Sequence, residues 1–409
     1  MGKKLALGGG KPVRTKPIFY SPVIEDDEID AVVSLLRTRR ITALSSSIVK
    51  DFEDAFARHV GMKHCVAMNS GTAVLHAAIA ACGAGPGDEV IVPAYTFVSS
   101  ASCILHHNAI PIFADIEPDS YCIDAKDVER KITDKTKAVI PVHLFGYPAD
   151  MDAVNKVARK HGIKVVEDAA QAHGTKYHGK GAGTLSDAGC FSLQESKNIT
   201  TGEGGLLVTA DDGIAGQARL IRQHGQSEQY KYVQLGWNYR MTGIEAAIGL
   251  VQLGKLGRLN ATRKEMADFY RKSLSGIDGL ILPKEPGGGS IHSYHVYAVR
   301  LDENKLGFSA DVFIKALAAE GVRAPLIYPE PVYLNPLFTQ INAYPKQCPF
   351  ACPHYGRKIE YGKGLCPTAE KITREMIRLP LHPAIPMDDL KDVVTAVKKI
   401  IENKNELEK

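Results

Sequence analysis

Short apolar runs alternate with segments of helical periodicity along the first 255 residues of the chain. Continuous apolar runs predict buried strands, and these lie at 64–68, 89–94, 110–116, 137–145, 163–169, 187–193 and 204–210. Helices are predicted at 71–83 and 151–162, and at 25–40, where acids fill the first turn and arginines the last, as a helix dipole favours. This alternation predicts a mostly parallel seven-stranded sheet covered by helices on both faces.

The regular alternation of strands and helices ends after a further predicted helix at 243–256 and a Gly/Pro-rich loop at 282–290. A strand is predicted at 294–301, and amphipathic helices at 309–321 and 387–403. Residues 328–368 are rich in Pro, Tyr and Cys and are predicted to form an irregular insertion. Because the length exceeds what one core usually serves, we predict two domains. The large domain spans 1–255, with an N-terminal arm and helix, and a smaller α+β domain spans 256–409.

Composition and charge exclude several classes of protein. The chain has 409 residues and a formal net charge of +4, without a basic patch that would indicate nucleic-acid binding. The first twelve residues hold only a short apolar stretch, unlike a signal peptide. No run approaches the ~20 apolar residues of a membrane span. We therefore expect a cytoplasmic protein without a membrane partner. No G-x-G-x-x-G segment follows a predicted strand, which disfavours a nicotinamide dehydrogenase.

The eight cysteines are scattered, and reduced thiols are expected in this context. Cys348, Cys352, His354 and Cys366 could in principle bind zinc. Their spacing departs from the common short-knuckle pattern, so we expect no metal and favour unpaired thiols or a redox-dependent bridge.

The first candidate site follows the strand at 64–68, where Asn69, Ser70, Gly71 and Thr72 open a helix. Helix N-termini present unpaired N–H groups and partial positive charge, which bind phosphate. Gly71 allows close backbone approach, and the two hydroxyls can donate hydrogen bonds. The alternative is that these residues merely cap the helix.

The second candidate site lies at the end of the strand 163–169, where Glu167 and Asp168 place carboxylates. Ligands of open α/β sheets bind at the carboxyl ends of the strands. Asp168 could pair with a protonated pyridine nitrogen, and Gln171 could reach a ring oxygen. A helix cap or a loop salt bridge would explain the same residues.

The third candidate site is Lys197, which stands between two apolar strands and precedes Gly202, Gly204 and Gly205. Desolvation would lower the pKa of this lysine and leave a neutral amine able to attack an aldehyde. The glycines would permit a tight turn beneath a bound ring. A loop lysine at a hairpin is the alternative. Phe97 after a strand end could stack on such a ring, or simply belong to the core.

Five segments in this order resemble the fold-type I sugar aminotransferases of the DegT/StrS-like family. They are NSGTAVLHAA, PAYTFVSSA, VVEDAAQAHG, FSLQESKNITTGEGG and GWNYRMTGIEAAIG. The resemblance covers nearly the whole chain. It implies a pyridoxal 5'-phosphate (PLP) cofactor that passes through pyridoxamine 5'-phosphate, and a fold-type I large domain followed by a smaller one.

The resemblance also implies which residues hold the phosphate of the cofactor. Gly71 and Thr72 would bind it together with Ser192, beside the hydroxyl of Ser70. Asn238 would reach the phosphate of the neighbouring subunit, so a homodimer with shared active sites is expected.

The family pattern assigns the ring of the cofactor to four further positions. Phe97 would stack on the pyridine ring, Asp168 would pair with its nitrogen and Gln171 would contact its hydroxyl. Lys197 would bind the cofactor covalently and then move protons as the catalytic base.

The implied reaction moves an amino group from glutamine or glutamate to a keto-sugar or keto-cyclitol by a ping-pong mechanism. Gln194 stands where many nucleotide-sugar enzymes of the family carry His, and the opening GGKPVRTKP resembles the cyclitol branch. These two features favour a glutamine:scyllo-inosose type of enzyme over a nucleotide-keto-sugar aminotransferase. A dehydratase, an epimerase or a non-catalytic regulatory protein is less favoured, since dehydratase relatives replace the lysine with His.

Overall fold

The computed structural model describes residues 4–407. The first three residues of the N-terminal segment and the last two of the predicted small domain lie outside this range. The strands of the described chain are β1 (His64–Met68), β2 (Glu89–Pro93), β3 (Ile110–Ala114), β4 (Thr136–Val139), β5 (Lys164–Asp168), β6 (Lys176–Tyr177), β7 (Lys180–Gly181), β8 (Ala188–Ser192), β9 (Gly205–Thr209), β10 (Gln226–Glu228), β11 (Lys231–Tyr232), β12 (Leu280–Ile281), β13 (Tyr297–Leu301) and β14 (Met376–Leu379).

The helices alternate with these strands in the first part of the chain and then dominate the rest. They are α1 (Asp26–Thr38), α2 (Ile48–Val60), α3 (Gly71–Ala81), α4 (Ser99–His106), α5 (Ala125–Lys131), α6 (Met151–His161), α7 (Asp212–Arg222), α8 (Gly243–Leu274), α9 (Glu303–Leu306), α10 (Ala310–Ala319), α11 (Pro336–Thr339), α12 (Pro367–Glu375) and α13 (Met387–Glu402). No helix in the range 4–407 is long and apolar enough to cross a membrane.

The large sheet has seven strands in the order β1-β9-β8-β5-β4-β2-β3. Six of them run parallel, and only β9 runs antiparallel to its neighbours β1 and β8. The connection 193–204 folds as tight turns rather than as a crossover helix, so β9 must return beside β8 in the opposite direction. The predicted mostly parallel α/β sheet is confirmed, and every predicted strand of the first 255 residues is present.

A three-stranded antiparallel sheet, β12-β13-β14, forms the second structural layer with α10, α13 and the end of α8. Its hydrophobic cluster also includes Leu5, near the start of the described chain. The backbone N–H groups of Ala6 and Val13 donate to the carboxylate of Glu320, which pairs with Lys399 of α13. The N-terminal segment is therefore tied to residues of the predicted small domain.

Helix α8 connects the two layers. Its start is fixed by a capping box, in which Thr242 and Glu245 satisfy each other's backbone N–H groups. Leu256 and Leu259 pack in a cluster with residues of the seven-stranded sheet, whereas Tyr270 packs with the three-stranded sheet. The helix predicted at 243–256 was too short. The predicted boundary at 255 and 256 falls inside α8, and the division into two domains stays a prediction.

Residues 328–368 contain only short helical turns besides loops. Their aromatic side chains do not form a separate core. Phe338 and Tyr361 pack edge-on against Phe113 of β3, with ring centroids 5.1 and 5.5 Å away. The segment thus covers the β3 edge of the large sheet and shields it from solvent.

Candidate active site

Lys197 lies in the turn between β8 and β9, with a partly buried side chain. The backbone N–H of Lys197 donates to the carbonyl oxygen of Gln194 at 2.9 Å, which closes the turn. Burial lowers the pKa of Lys197 below its ordinary value of 10.5, and the carboxylates of Asp168 and Glu203 oppose this shift. The amine is therefore neutral in a larger fraction of molecules than an exposed lysine would be.

The turn depends on glycine at two points. Gly204 has a φ of +150°, where a Cβ would also come within 2.6 Å of Thr201 Oγ1. At Gly205 a Cβ would come within 2.4 Å of the carbonyl oxygen of Ser70. These glycines allow the hairpin that carries Lys197 to press against the start of α3.

Asp168 ends β5 and is almost fully buried. Ser100 Oγ donates to one carboxylate oxygen at 2.7 Å, and the backbone N–H of Ala170 donates to the other at 3.0 Å. Burial raises the pKa of Asp168, while the two hydrogen bonds and the charge of Lys197 oppose that shift. A buried carboxylate in this setting gains from a cationic partner directly in front of it.

A second buried carboxylate, Glu167, points away from Asp168 and anchors the end of β5. Its Oε2 lies 2.8 Å from Nε2 of His143 and accepts a hydrogen bond from the N–H of Gly183 at 2.7 Å. Ser186 Oγ donates to its Oε1 at 2.8 Å. No motif in the sequence indicated a partner for Glu167, because His143 lies on a different predicted strand. This network fixes the strand end from which Asp168 projects.

Gln171 links the site to the segment that follows α10. Its Oε1 accepts from the N–H of Phe145 at 2.8 Å, and its Nε2 donates to the hydroxyl of Tyr328 at 3.0 Å. The ring of Phe97, which is 53% exposed, lies 6.2 Å from the ring of Tyr328. Tyr328 was missed by the sequence analysis, since it is remote in the chain from every recognised motif. Together these side chains form an aromatic wall beside Asp168.

The start of α3 forms the predicted cradle. Ser70 Oγ accepts from the N–H of Ala73 at 3.1 Å, so this hydroxyl serves as the helix cap. The N–H groups of Gly71 and Thr72 make no hydrogen bond within residues 4–407. A Cβ on Gly71 would come within 2.8 Å of Ser192 Cβ, so the helix start and the end of β8 touch. These free N–H groups beside Ser192 suit a phosphate.

A further hydroxyl joins the cradle from α4. Thr72 Oγ1 and Ser99 Oγ lie 2.8 Å apart. Ser99 was not among the predicted site residues, although it lies in the same motif as Phe97, PAYTFVSSA. The adjacent residue Ser100 binds Asp168, so α4 connects the cradle with the buried carboxylate.

Asn238 occupies an exposed position in the segment that precedes α8. Its carbonyl oxygen accepts from Asn69 Nδ2 at 3.4 Å, one residue before the cradle. Trp237 and Tyr239 on either side stack with each other and contact His76 of α3. The tryptophan motif therefore serves in packing, and the predicted role of the Asn238 side chain stays a prediction.

The segment 328–368 contributes Tyr328 to this site, and its cysteines form no disulfide. All eight cysteines are free thiols. In the part of the chain that the structure describes, no group of three or more His, Cys, Asp or Glu side chains could hold a metal ion.

The residues present fit PLP. A lysine with a lowered pKa lies within electrostatic range of a buried carboxylate, and a helix start with free N–H groups packs against β9, the strand that follows the lysine. A mostly parallel seven-stranded sheet carrying this set at its carboxyl edge defines the chain as a fold-type I PLP-dependent aminotransferase. The chain belongs to the DegT/DnrJ/EryC1/StrS aminotransferase family, whose pattern matches residues 22–360.

Three known proteins show the range of the similarity. The GDP-perosamine synthase of Caulobacter vibrioides is 38% identical over 84% of this chain and 93% of that protein. The L-glutamine:2-deoxy-scyllo-inosose aminotransferase of Streptomyces kanamyceticus is 34% identical over 98% of this chain and 97% of that protein. The structure of the putative sugar aminotransferase Spr1654 of Streptococcus pneumoniae in its PLP form superposes with a TM-score of 0.84 and 28% identity, covering 95% and 100% of the two chains.

Proposed function

We propose that this chain transfers the amino group of glutamate or glutamine to the ketone of a nucleotide-linked sugar, with Lys197 as the cofactor-binding and proton-moving residue. The observation that carries the proposal is that Lys197 and Asp168 lie within electrostatic range of each other in a buried setting. Burial lowers the pKa of Lys197 and raises the pKa of Asp168. A keto-cyclitol is the second candidate acceptor, supported by the similarity to the inosose enzyme over almost the whole chain.

Each residue has a distinct task in this proposal. Asp168 would hold a proton on the pyridine nitrogen through an ion pair inside a buried site. The N–H groups of Gly71 and Thr72 and the hydroxyl of Ser192 would hold the phosphate, and Phe97 would cover one face of the ring. Bound PLP supplies an electron sink for the negative charge that develops on the substrate carbon.

The Nζ atom of Lys197 would then carry the proton. With the amino donor bound in place of Lys197, the neutral amine of the lysine would take the proton from the amino-bearing carbon of the donor. It would then deliver this proton to the cofactor carbon on the other side of the same nitrogen. Burial lowers the pKa of Lys197, which favours the neutral amine that this task requires. Gln171 would position the ring hydroxyl, with its own orientation fixed by Phe145 and Tyr328.

A second copy of the chain would complete the site. Large side chains of the segment 226–235 are exposed, among them Tyr230 at 78% and Leu235 at 73%. Ile29 and Leu36 on α1 are exposed as well. Exposed apolar area of this kind indicates a contact surface. We propose that a homodimer buries it and brings Asn238 to the phosphate of the partner, which light scattering and an Asn238→Ala variant would test.

The covalent assignment is tested by absorbance. The protein loaded with PLP should show a band at the edge of the visible range, and Lys197→Ala should abolish it. Lys176→Ala, which changes an exposed lysine on β6, should keep the band. A band that survives Lys197→Ala would refute the assignment.

The reaction is tested one half at a time. Glutamate or glutamine alone should convert the loaded protein to the pyridoxamine phosphate form and release one equivalent of keto acid. A screen of nucleotide-linked keto-sugars and scyllo-inosose should then regenerate the starting spectrum with one acceptor class. No keto acid from either donor would contradict amino transfer.

A further inference from the structure

Asn198 directly follows Lys197 in the chain, and its side chain is buried. Its Nδ2 donates two hydrogen bonds, to Oδ1 of Asn260 at 2.8 Å and to the carbonyl oxygen of Ser293 at 2.9 Å. Its Oδ1 has no hydrogen-bond partner in the described chain. The orientation of this buried amide is therefore set by its two donor contacts.

The first acceptor, Asn260, belongs to α8 and passes the connection on. Its Nδ2 donates to the carbonyl oxygen of His173 at 2.8 Å. His173 lies in the turns that follow Asp168. Gly174 makes room for this contact, because a Cβ there would come within 2.4 Å of Asn260 Nδ2. The two amides thus connect the turn that carries Lys197 to the segment that begins at Asp168.

The second acceptor, Ser293, is fastened to the same segment. Its backbone N–H donates to the carbonyl oxygen of Gly146 at 3.0 Å, and the hydroxyl of Thr175 lies 2.8 Å from its Oγ. Ser293 is itself buried, so water does not compete for these contacts. Both acceptors of Asn198 are therefore held by the backbone and side chains that follow β5.

The other hydrogen bonds of the connection 193–204 do not reach that segment. Most run within the connection itself or to the adjoining end of β8. The N–H of Thr200 donates to Gln252 Oε1 at 3.3 Å, which ties the turn to α8 alone. In the described chain, Asn198 therefore makes the hydrogen bonds that set how far Lys197 stands from the segment after β5.

We propose that Asn198 is a positioning residue for Lys197, which holds the turn at the place from which the lysine amine reaches the aldehyde of the cofactor. This inference rests on the proposed function, because it takes Lys197 as the residue that binds PLP covalently. Bond formation needs the reacting atoms about 3–3.5 Å apart and aligned, so a shift of the turn should hinder it. The phosphate and ring contacts come from other elements and should not depend on Asn198.

The test compares two forms of the cofactor on the same protein. PLP carries the aldehyde that reacts with Lys197, whereas pyridoxamine 5'-phosphate has the same ring and phosphate without the aldehyde. Asn198→Leu keeps the branched shape of the side chain and removes both donors. It should lower the affinity for PLP about ten-fold and leave the affinity for pyridoxamine 5'-phosphate unchanged. Titration of the full chain freed of cofactor, by absorbance and by calorimetry, measures both affinities.

Two further variants separate positioning from support of the fold. Asn260→Ala removes one acceptor of Asn198 and keeps the bond to Ser293, so it should give the same pattern with a smaller loss of PLP affinity. Asn198→Leu should have no further effect on PLP affinity in the Lys197→Ala background, because no lysine amine is left to position. This comparison is a double-mutant cycle between Asn198 and Lys197.

The matched control is Asn155→Leu. Asn155 on α6 also donates through Nδ2 to a carbonyl oxygen, that of Leu185 at 2.9 Å. The same chemical change outside the Lys197 turn should leave the affinities for both cofactor forms unchanged. Normal binding of pyridoxamine 5'-phosphate by Asn198→Leu would also show that this variant is folded.

A loss of affinity for PLP alone, absent in the Lys197→Ala background, supports the proposal. An equal loss for both cofactor forms would show that Asn198 supports the fold rather than Lys197, and would overturn it. Unchanged affinity for PLP in Asn198→Leu would overturn it as well and leave the proposed function standing. None of these readouts requires turnover, so a failed half-reaction would refute amino transfer without changing the role of Asn198.

Discussion

Gly71 is the position at which a larger side chain would most directly disturb the proposed phosphate site. In Gly71→Ala the new methyl group would lie 2.8 Å from Ser192 Cβ, so the start of α3 or the end of β8 must move. We expect the affinity for PLP to fall about ten-fold or more, because the free N–H groups of the cradle shift away from the phosphate. Titration with PLP, followed by absorbance, measures the effect.

Gly216→Ala on α7 is the control for this variant. A Cβ at Gly216 meets no atom within 4 Å. This change should leave the affinity for PLP as it is and should slightly stabilise the fold. Equal affinity for PLP in Gly71→Ala and the wild-type protein would show that the cradle does not hold the phosphate.

At the same scale, the candidate site divides into residues that sequence reasoning found and residues that it missed. Asp168 could be predicted as a candidate because it ends an apolar strand, and Lys197 because it lies in the short connection between two apolar strands. Tyr328 could not, because it reaches Gln171 from a loop far along the chain. Only the folded arrangement of the whole chain brings it there.

At the scale of single elements, α8 joins the two parts of the fold, because its side chains pack in the hydrophobic clusters of both sheets. Gly249 lies where α8 crosses the ring of Phe52, and a Cβ there would come within 2.5 Å of Phe52 Cζ. Phe52 is fully buried, so its ring has little room to yield. We expect Gly249→Ala to lower the free energy of unfolding by about 1–3 kcal/mol, as overpacking does. Denaturant-induced unfolding measures this.

The same helix offers a control five residues further along. A Cβ at Gly254 meets nothing within 4 Å. Gly254→Ala should raise the free energy of unfolding by about 0.5–1 kcal/mol, since alanine favours the helix. If both variants shifted stability in the same direction, packing against Phe52 would not be what requires glycine at 249.

The elements also show where local patterns suffice. Strands such as β1 and β5 were predicted almost to the residue, because continuous apolar runs between turns have few alternative folds. The second half of α8 was not predicted, because its buried face turns from the large-domain cluster towards the small sheet and no single apolar stripe persists. The antiparallel direction of β9 could likewise not be predicted, because no residue pattern within the strand indicates its direction.

For the whole molecule, buried histidines predict a loss of stability in mild acid. Burial lowers the pKa of His76, His173 and His292 to about 3, against an ordinary value of 6.5. Below pH 6.5 the unfolded chain therefore binds protons at these histidines that the folded chain does not bind. The contribution of these neutral histidines to the free energy of unfolding is fully present above pH 6.5, and it is lost as the pH decreases towards 3. Each histidine contributes up to about 1.4 kcal/mol per pH unit.

The measurement is the free energy of unfolding at pH 7, 6 and 5. His173 is the clearest test, because neither ring nitrogen has a hydrogen-bond partner in the described chain. His173→Leu should reduce the slope of stability against pH by about one proton. An unchanged slope in His173→Leu would contradict the prediction.

The tie between the N-terminal segment and the small sheet also orders events during synthesis. The N–H of Leu5 donates to the carboxylate of Glu406 at 3.3 Å, across a separation of 401 residues. At ribosomal speeds of about 5–20 residues per second, this partner emerges roughly 20–80 s after Leu5. During that interval the N-terminal segment lacks its final surroundings. The large sheet can pair while translation continues, but the small sheet and the N-terminal segment reach their final packing only after α13 has been made.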